Sequence, residues 1–559
     1  MRFKKAFSLC LSLALLAGTV AGCANSSSSS SEAVSASSAA ASSEEPGIPD
    51  YLNPVGEYPI TKELTTVTAM VSANSDTMSA NWNDLTAFQR LEKKTNIHFE
   101  FEYVNGGTNN EQFKTQLALK MAGSDYPEVI LMGMTSEQEE SFGPSGKWID
   151  LTNLIAQYAP NLTSLIESND EVKYGIKAMD GKIYGLPYYV ESVANVPTLS
   201  FFNSEWMKNV GITELPKTTD DLYALLQAFK TKDANGNGDP NDEIPFSCVG
   251  VGYLELYLQS AFQGYAGCNT SGQWDVDDSG KVVYLPQEKG FKEYLEFCHN
   301  MYVDGLLDNE FISQTSDQEK AKVKANLVGF YNMSPTIVAG TEMADQKQIC
   351  LEPLTSPTNS KKVSVAPINL TTTAGVITSN CEHPEAAMRW FDMWYATEDK
   401  AVDGFWGNVS LMGYEGENWK YTDASKTSYE FIAPTTTFTD LNKTTIITYG
   451  LPSFVKLTAY ISGNQLLSDK IEESKEKLEP YYRSGYPAAV RYSADEATEA
   501  ATMSNDLFTY VRLMQAKFIT GEESLDNFDK FLTELDKYRV EDLKALKQAA
   551  YDRYIAAKG

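Results

Sequence analysis

The sequence predicts an α/β protein built around a largely parallel sheet. Three observations carry that prediction. Strand and helix patterns alternate in the region that follows residue 64. One of those strands is apolar at every position, the mark of a strand covered on both faces. About 500 residues remain after an N-terminal leader, enough for two lobes by the usual domain-size prior.

The elements follow in order. TTVTAMVS (65–72) reads as a strand. Asp84 is placed to cap a helix with Leu85, Phe88 and Leu91 on one face. HFEFEYV (98–104) alternates Phe99, Phe101 and Tyr103, a half-buried strand. A helix follows with Phe113, Leu117 and Met121 inward and Gly123 as its stop. YPEVILMG (126–133) holds the continuously apolar strand. The βαβαβ order implies right-handed crossovers. Further on, LYALLQAFK (222–230) reads as helix, GVITS (375–379) as strand, and HPEAAMRWFDMWYA (383–396) as a helix with Pro384 in its first turn. Near the end, Leu507, Phe508, Val511 and Met514 make one apolar face of a helix ending at Gly521. Ser524 caps another with Phe528, Phe531, Leu532 and Leu535.

The N-terminus reads MRFKKAFSLCLSLALLAGTVAGC. Three basic residues precede an apolar run from Ala6 to about Val20, a secretory signal too short for a permanent span. Val20-Ala21-Gly22-Cys23 resembles the bacterial lipobox, which implies cleavage before Cys23 and a lipid on its sulfur. The Ser/Ala-rich stretch behind it cannot bury a core and reads as a disordered tether, assigned to 23–59 together with the lipidated Cys. Signal, lipid and tether place the folded part at the outer face of a cell membrane.

Composition excludes as much as it suggests. The chain has 46 Lys+Arg against 75 Asp+Glu, a formal net charge of −29, which repels polyanions and makes nucleic acid a poor partner. Its three His are scattered and form no zinc spacing. No nucleophile elbow or phosphate loop occurs. Of the 7 Cys, Cys10 leaves with the signal and Cys23 is the anchor. Cys248, Cys268, Cys298, Cys350 and Cys381 read as small buried residues with at most one or two disulfides.

One loop asks for metal. DANGNGDPNDEIP (233–245) sets oxygen-bearing side chains at Asp233, Asn235, Asn237, Asp239 and Asn241, followed by Asp242 and Glu243. Such spacing wraps hard oxygens around one calcium, with Gly236 and Gly238 permitting the tight path. It is not an EF-hand, since Ile244 stands at position 12. An Asn-Gly turn without metal is the alternative.

Several segments together resemble family 1 of the extracellular solute-binding proteins, the lipoprotein receptors of bacterial carbohydrate ABC importers, and within it the oligosaccharide-binding lipoproteins of Gram-positive bacteria. They are MAGSDYPEVI (121–130), WIDLTNLIAQYAPNL (148–162), DGKIYGLPYY (180–189), FFNSEWMKNVGITELPKTTDDLYALLQAFK (201–230), CEHPEAAMRWFDMWYA (381–396), MGYEGENWKY (412–421) and the terminal LDNFDKFLTEL with AAYDRY. The resemblance implies a two-lobe, periplasmic-binding-protein-like type II fold with a hinge and an interlobe cleft. It places lobe 1 at 60–194 plus 368–435 and lobe 2 at 195–367 plus 436–559. It implies a structural calcium held by Asp233, Asn235, Asn237, Asp242 and Glu243, with a main-chain oxygen from Asp239. The loop is one residue longer than the commoner family loop, so Asp239, Asn241 and Asp242 remain alternatives. The implied activity is capture of an oligosaccharide by hinge closure, without bond cleavage, by a monomer that docks on a membrane permease.

Sugars offer C–H faces to aromatic rings and hydroxyls to carboxylates, amides and Arg. On that chemistry the expected ligand residues are Trp82, Tyr188, Tyr189, Glu191, Trp406, Asn408 and Trp419. Two other classes compete. A surface glycosidase or lyase requires a carboxylate pair at hydrolytic separation. A receptor for peptides or other solutes requires fixed charges for chain termini.

Overall fold

The structure is a computed structural model. It describes residues 48–73, 78–105, 111–193, 195–196, 199–267, 272–333, 348–448, 450–462 and 465–558. The signal, Cys23, most of the tether and Cys268 lie outside the described residues. The folded unit runs from Pro49 to Gly559.

Two sheets organise it. The first has six strands: β1 (Thr65–Ala73), β2 (Ile97–Asn105), β3 (Val129–Leu131), β4 (Gly185–Ser192), β9 (Leu370–Ile377) and β10 (Ser453–Leu457), in the order β10-β4-β9-β3-β1-β2. β1 pairs parallel with both β2 and β3 (Val67 opposite Phe99, Val71 opposite Leu131). β9 runs antiparallel between β3 and β4. The second sheet orders β8-β5-β7-β6, made from β5 (Leu199–Asn203), β6 (Ile244–Ser247), β7 (Val328–Met333) and β8 (Gln348–Cys350).

Each sheet has its own core. In the first, Val67, Ala69 and Val71 face one side of β1 and pack with Phe88 and Leu91 of helix α1 (Thr86–Thr95). Trp390 of helix α7 (Pro384–Asp392) lies 4.6 Å from Phe99 in the same core. Met70 and Ile130 point the other way, against Phe113, Leu117 and Met121 of α2 (Glu111–Ala122). Both faces of these strands are therefore covered, which is why β3 is apolar throughout. The second core collects Phe202 stacked on Phe330 at 4.3 Å, Phe229 of α5 (Thr219–Thr231), and Leu507, Val511 and Phe518 of the long helix α8 (Ala494–Thr520).

Three expectations are corrected. Residues 49–59 are not tether. Leu52 and Ile60 are buried in the first core, and Arg389 donates to the main-chain carbonyls of Asn53, Pro54 and Glu57, so apolar burial and a guanidinium clamp hold this stretch. Residues 436–461 do not begin the second lobe. Leu441, Ile446, Ile447 and Leu451 fill the first core, and β10 pairs with β4. Asp84 does not cap α1. It ends a 3-10 turn over Trp82–Asp84 that Asn81 caps, and α1 starts behind Leu85 without a side-chain cap.

Candidate functional site

The chain passes between the two bodies from Val193 to Leu199, from Val365 to Leu370, and from Ile461 to Gln465. These passages are laced together. Asn195 Nδ2 donates to Asn369 Oδ1 at 2.6 Å, Val190 N to Asn369 O at 2.9 Å, and Val193 N to Leu457 O at 3.1 Å. Backbone and amide bonds at neighbouring passages confine flexing to a narrow zone, the geometry of a hinge.

On the first body, β1 is the point where strand order reverses, with β2 on one side and β3 on the other. Crevices beyond the carboxyl ends of strands at such a switch point receive ligands. The edge there is tightly built. Met132 and Gly133 follow β3 with φ of 65° and 78°. A Cβ at Gly133 would stand 2.9 Å from the Phe113 ring and 3.1 Å from Ser72. Thr135 caps helix α3 (Ser136–Phe142) in a reciprocal box with Gln138. The Met132 methyl lies against Gly450, and Ser79 and Thr448 are both fastened to Asn442. A left-handed Met is costly backbone, and such strain concentrates at functional sites.

The second body presents the end of its sheet where β5 begins and β6 stops, since Leu199 pairs with Met333 and Ser247 with Tyr331. Helix α6 (Val251–Leu254) leaves from that end and widens into a π-helical turn at Glu255–Gln259. Glu255 is fully buried and meets Arg512 Nη2 at 2.6 Å. Burial pushes its carboxyl up to about 7, against the pull of Arg512. Gly252 lets the guanidinium come close, because a Cβ there would sit 2.6 Å from Arg512 Nη1 and push that group aside. The guanidinium lies 4.9 Å over the Phe508 ring, and Phe508 is 41% exposed. The result is an apolar ring carrying a guanidinium whose orientation a buried carboxylate fixes. Sequence periodicity assigned Phe508 to the core face. The signal it missed is that Leu507 and Val511 already fill that face.

The expected ligand residues fare differently. Trp82 is completely buried among Phe88, Phe101 and Tyr103, and Trp419 is equally buried, its indole N–H donating to Gly413 O at 3.1 Å. Asn408 is internal as well, bonded both ways to the Lys456 backbone at 2.7 Å. These three are structural in this conformation, because no face is left for a ligand. Trp406 is nearly buried at the rim of the same core. Tyr188, Tyr189 and Glu191 follow one another along β4 where it pairs with β10, Tyr189 and Glu191 on one face and Tyr188 on the other. Tyr189 accepts from Asn169 at 2.8 Å, and Glu191 pairs with Lys456 at 3.1 Å. The structure does not join Trp82, Trp406 or Trp419 to that group.

The loop 233–243 folds on its own side chains. Asp233 Oδ2 accepts from Gly238 N at 2.9 Å, Asn235 and Asn237 donate to the two oxygens of Asp242 at 2.8 and 2.7 Å, and Glu243 Oε1 accepts from Ala234 N at 3.0 Å. Gly236 and Gly238 take φ of 74° and 93°. Two oxygens remain buried without a hydrogen-bond partner, Asp233 Oδ1 and Glu243 Oε2. Burial also raises the Glu243 carboxyl pKa. Buried carboxylate oxygens of this kind need a proton or a cation. Among the described residues no cluster of three or more His, Cys, Asp or Glu side chains is placed to hold a metal, so amide and main-chain oxygens would have to complete any shell. The four described cysteines, Cys248, Cys298, Cys350 and Cys381, are free thiols.

With this geometry established, comparison with known proteins is direct. The fructooligosaccharide ABC transporter substrate-binding protein FusA of Streptococcus pneumoniae is 27% identical over 525 residues, covering 91% of this chain and 94% of FusA. A solved structure of the S. pneumoniae FusA EF-hand mutant in complex with fructo-nystose superposes with a TM-score of 0.71 at 25% identity, over 88% of this chain and 100% of that one. An extracellular solute-binding protein from Bifidobacterium longum subsp. infantis, 19% identical, shares the fold with a TM-score of 0.75 over 88% of this chain and 98% of its own. The family model for bacterial extracellular solute-binding proteins matches residues 75–401. The match covers more than half of the sequence, and the chain belongs to the bacterial extracellular solute-binding protein family.

Proposed function

We propose that the protein captures an oligosaccharide between its two bodies by hinge closure and hands it to the membrane permease of an ABC importer. The observation that carries this reading is the exposed Phe508 ring beneath the half-buried Arg512 guanidinium, which the buried Glu255 orients. An aromatic ring stacks on sugar C–H faces, and a fixed guanidinium donates to hydroxyls. Met132 and the Tyr188–Glu191 strand end are its counterparts on the first body. The FusA similarity supports the carbohydrate class. The lobes are then 49–193 with 370–461, and 199–367 with 465–558. Closing excludes water from the crevice, so each polar contact strengthens, and no bond is broken.

The loop 233–243 fits a structural calcium held by Asp233, Asn235, Asn237, Asp242, Glu243 and the Asp239 carbonyl. Turning the two amides would swap their N–H donors for oxygens, and the cation would satisfy Asp233 Oδ1 and Glu243 Oε2. An EF-hand in the FusA relative supports this. The Cys23 lipid holds a monomer at the outer face of the membrane.

The test is a thermal-shift and calorimetric titration of residues 46–559 with fructooligosaccharides and peptides, with and without calcium. A sugar that raises the melting temperature and is recovered intact supports the receptor. Recovery of cleaved sugar, or a response to peptides alone, overturns it.

A further inference from the structure

A second groove of about 460 Å³ lies between the bodies, beside the passage at Val365–Leu370. Its first-body rim carries two acids, Glu137 of α3 and Glu171 of α4 (Asp170–Gly175). Its second-body rim carries two bases, Lys547 and Lys558 of the C-terminal helix α9 (Val540–Lys558). Glu137 is the carboxylate whose field reaches Lys547, and Lys558 is the ammonium whose field reaches Glu171. Yet among the described residues none of the four makes an ion pair. Lys547 instead rests over the rings of Tyr486, Tyr492 and Trp274 at 4.6–5.4 Å and donates to the Tyr492 hydroxyl at 3.1 Å.

The floor of the groove is a strap, residues 484–493, tied to both bodies. Arg491 binds the buried Glu139 at 3.0 Å and the Gly175 carbonyl at 2.8 Å. Tyr486 donates to the Lys547 carbonyl at 2.8 Å. Opposite charges on two hinged bodies, facing across a gap that neither fills, are complementary surfaces held apart.

We propose that Glu137–Lys547 and Glu171–Lys558 form an electrostatic latch, open in this structure, which closes when the bodies turn to narrow this groove and stabilises that second hinge position. Arg491 anchors the strap to Glu139 and Gly175 of the first body, and about that anchor the strap lets α9 swing. Mutual attraction grows as the gap narrows and water leaves it, and salt weakens it. The latch thus acts on the hinge equilibrium and needs no contact with a ligand.

Pulsed electron resonance between spin labels at Glu100→Cys and Glu522→Cys, one on each body, reads the hinge directly in a Cys268→Ser, Cys381→Ser background. Two distance populations are expected without ligand. The Glu137→Gln, Glu171→Gln variant, whose changes are on exposed residues, and 1 M salt should each lower the narrow-groove population about threefold. Exchanging the charges, Glu171→Lys with Lys558→Glu, should restore it where Glu171→Lys alone does not. A single population, or two that ignore salt and all these variants, overturns the latch. Sugar binding is not used as the readout, so the carbohydrate reading stands or falls separately.

Discussion

The acidic loop at 233–243 and the Phe508–Arg512 wall are built by opposite means. Every side chain of the loop comes from eleven consecutive residues, and its turns follow from what Asn, Asp and Gly do locally. The wall gathers Gly252 and Glu255 from one helix and Phe508 and Arg512 from another far along the chain. A local cluster can be read from spacing alone. An assembled one needs the fold that brings its pieces together, and it inherits its exposure from that fold.

Four predictions test this contrast, from the largest effect to the smallest. Trp419→Ala, at a residue the sequence assigns to the ligand and the structure to the core, should cost about 3–5 kcal/mol of stability. Chemical denaturation measures that loss, and sugar affinity of the folded fraction should stay unchanged. Loss of affinity at unchanged stability would return Trp419 to the site. The second prediction concerns pH. Glu255 has its folded pKa raised to about 7 from an unfolded value of 4.5. Its contribution is therefore fully present below pH 4.5 and is lost as pH rises through 7, up to about 3 kcal/mol. Glu140 and Asp392, raised to about 7, and Glu319, raised to about 8, push the same way. Melting temperature should fall from pH 5 to pH 8, and Glu255→Gln should flatten part of that fall.

Third, chelation should destabilise the protein by about 2.7 kcal/mol when free calcium had stood a hundredfold above its Kd. Asp242→Ala should abolish that response without changing sugar stacking. A chelator-insensitive melting curve would reduce 233–243 to a turn. Last, Phe508→Ala should weaken sugar binding about tenfold, about 1.4 kcal/mol, while stability moves by less than about 0.5 kcal/mol because the ring is exposed. Calorimetry on the same samples separates the two. An unchanged Kd would remove the wall from the site.

Much of the fold was legible. Alternating Phe99, Phe101 and Tyr103 marked β2, Pro384 marked the start of α7, and Gly521, at φ 79°, marked the end of α8. The misses share a cause. Asp84 has the chemistry of a cap, but Asn81 took the role one turn earlier. Residues 49–59 carry Pro, Gly and polar residues, yet Leu52 and Ile60 find a hydrophobic seat and Arg389 closes over the chain between them. The stretch after 436 looked like a new lobe until β10 paired with β4. In each case the deciding partner lies outside the segment's own sequence.

By itself the sequence determined the α/β class, the oxygen-rich loop and the placement of most strands and helices. Those depend on period, charge and turn chemistry over short stretches. Only the tertiary structure decided which aromatic rings are walls and which are core. A Trp or Phe carries the same large apolar face to either place, so the ring itself does not choose. Neighbours choose: Phe88, Phe101 and Tyr103 close over Trp82, while at Phe508 the core face of α8 is already filled and the ring is left to the solvent and to Arg512.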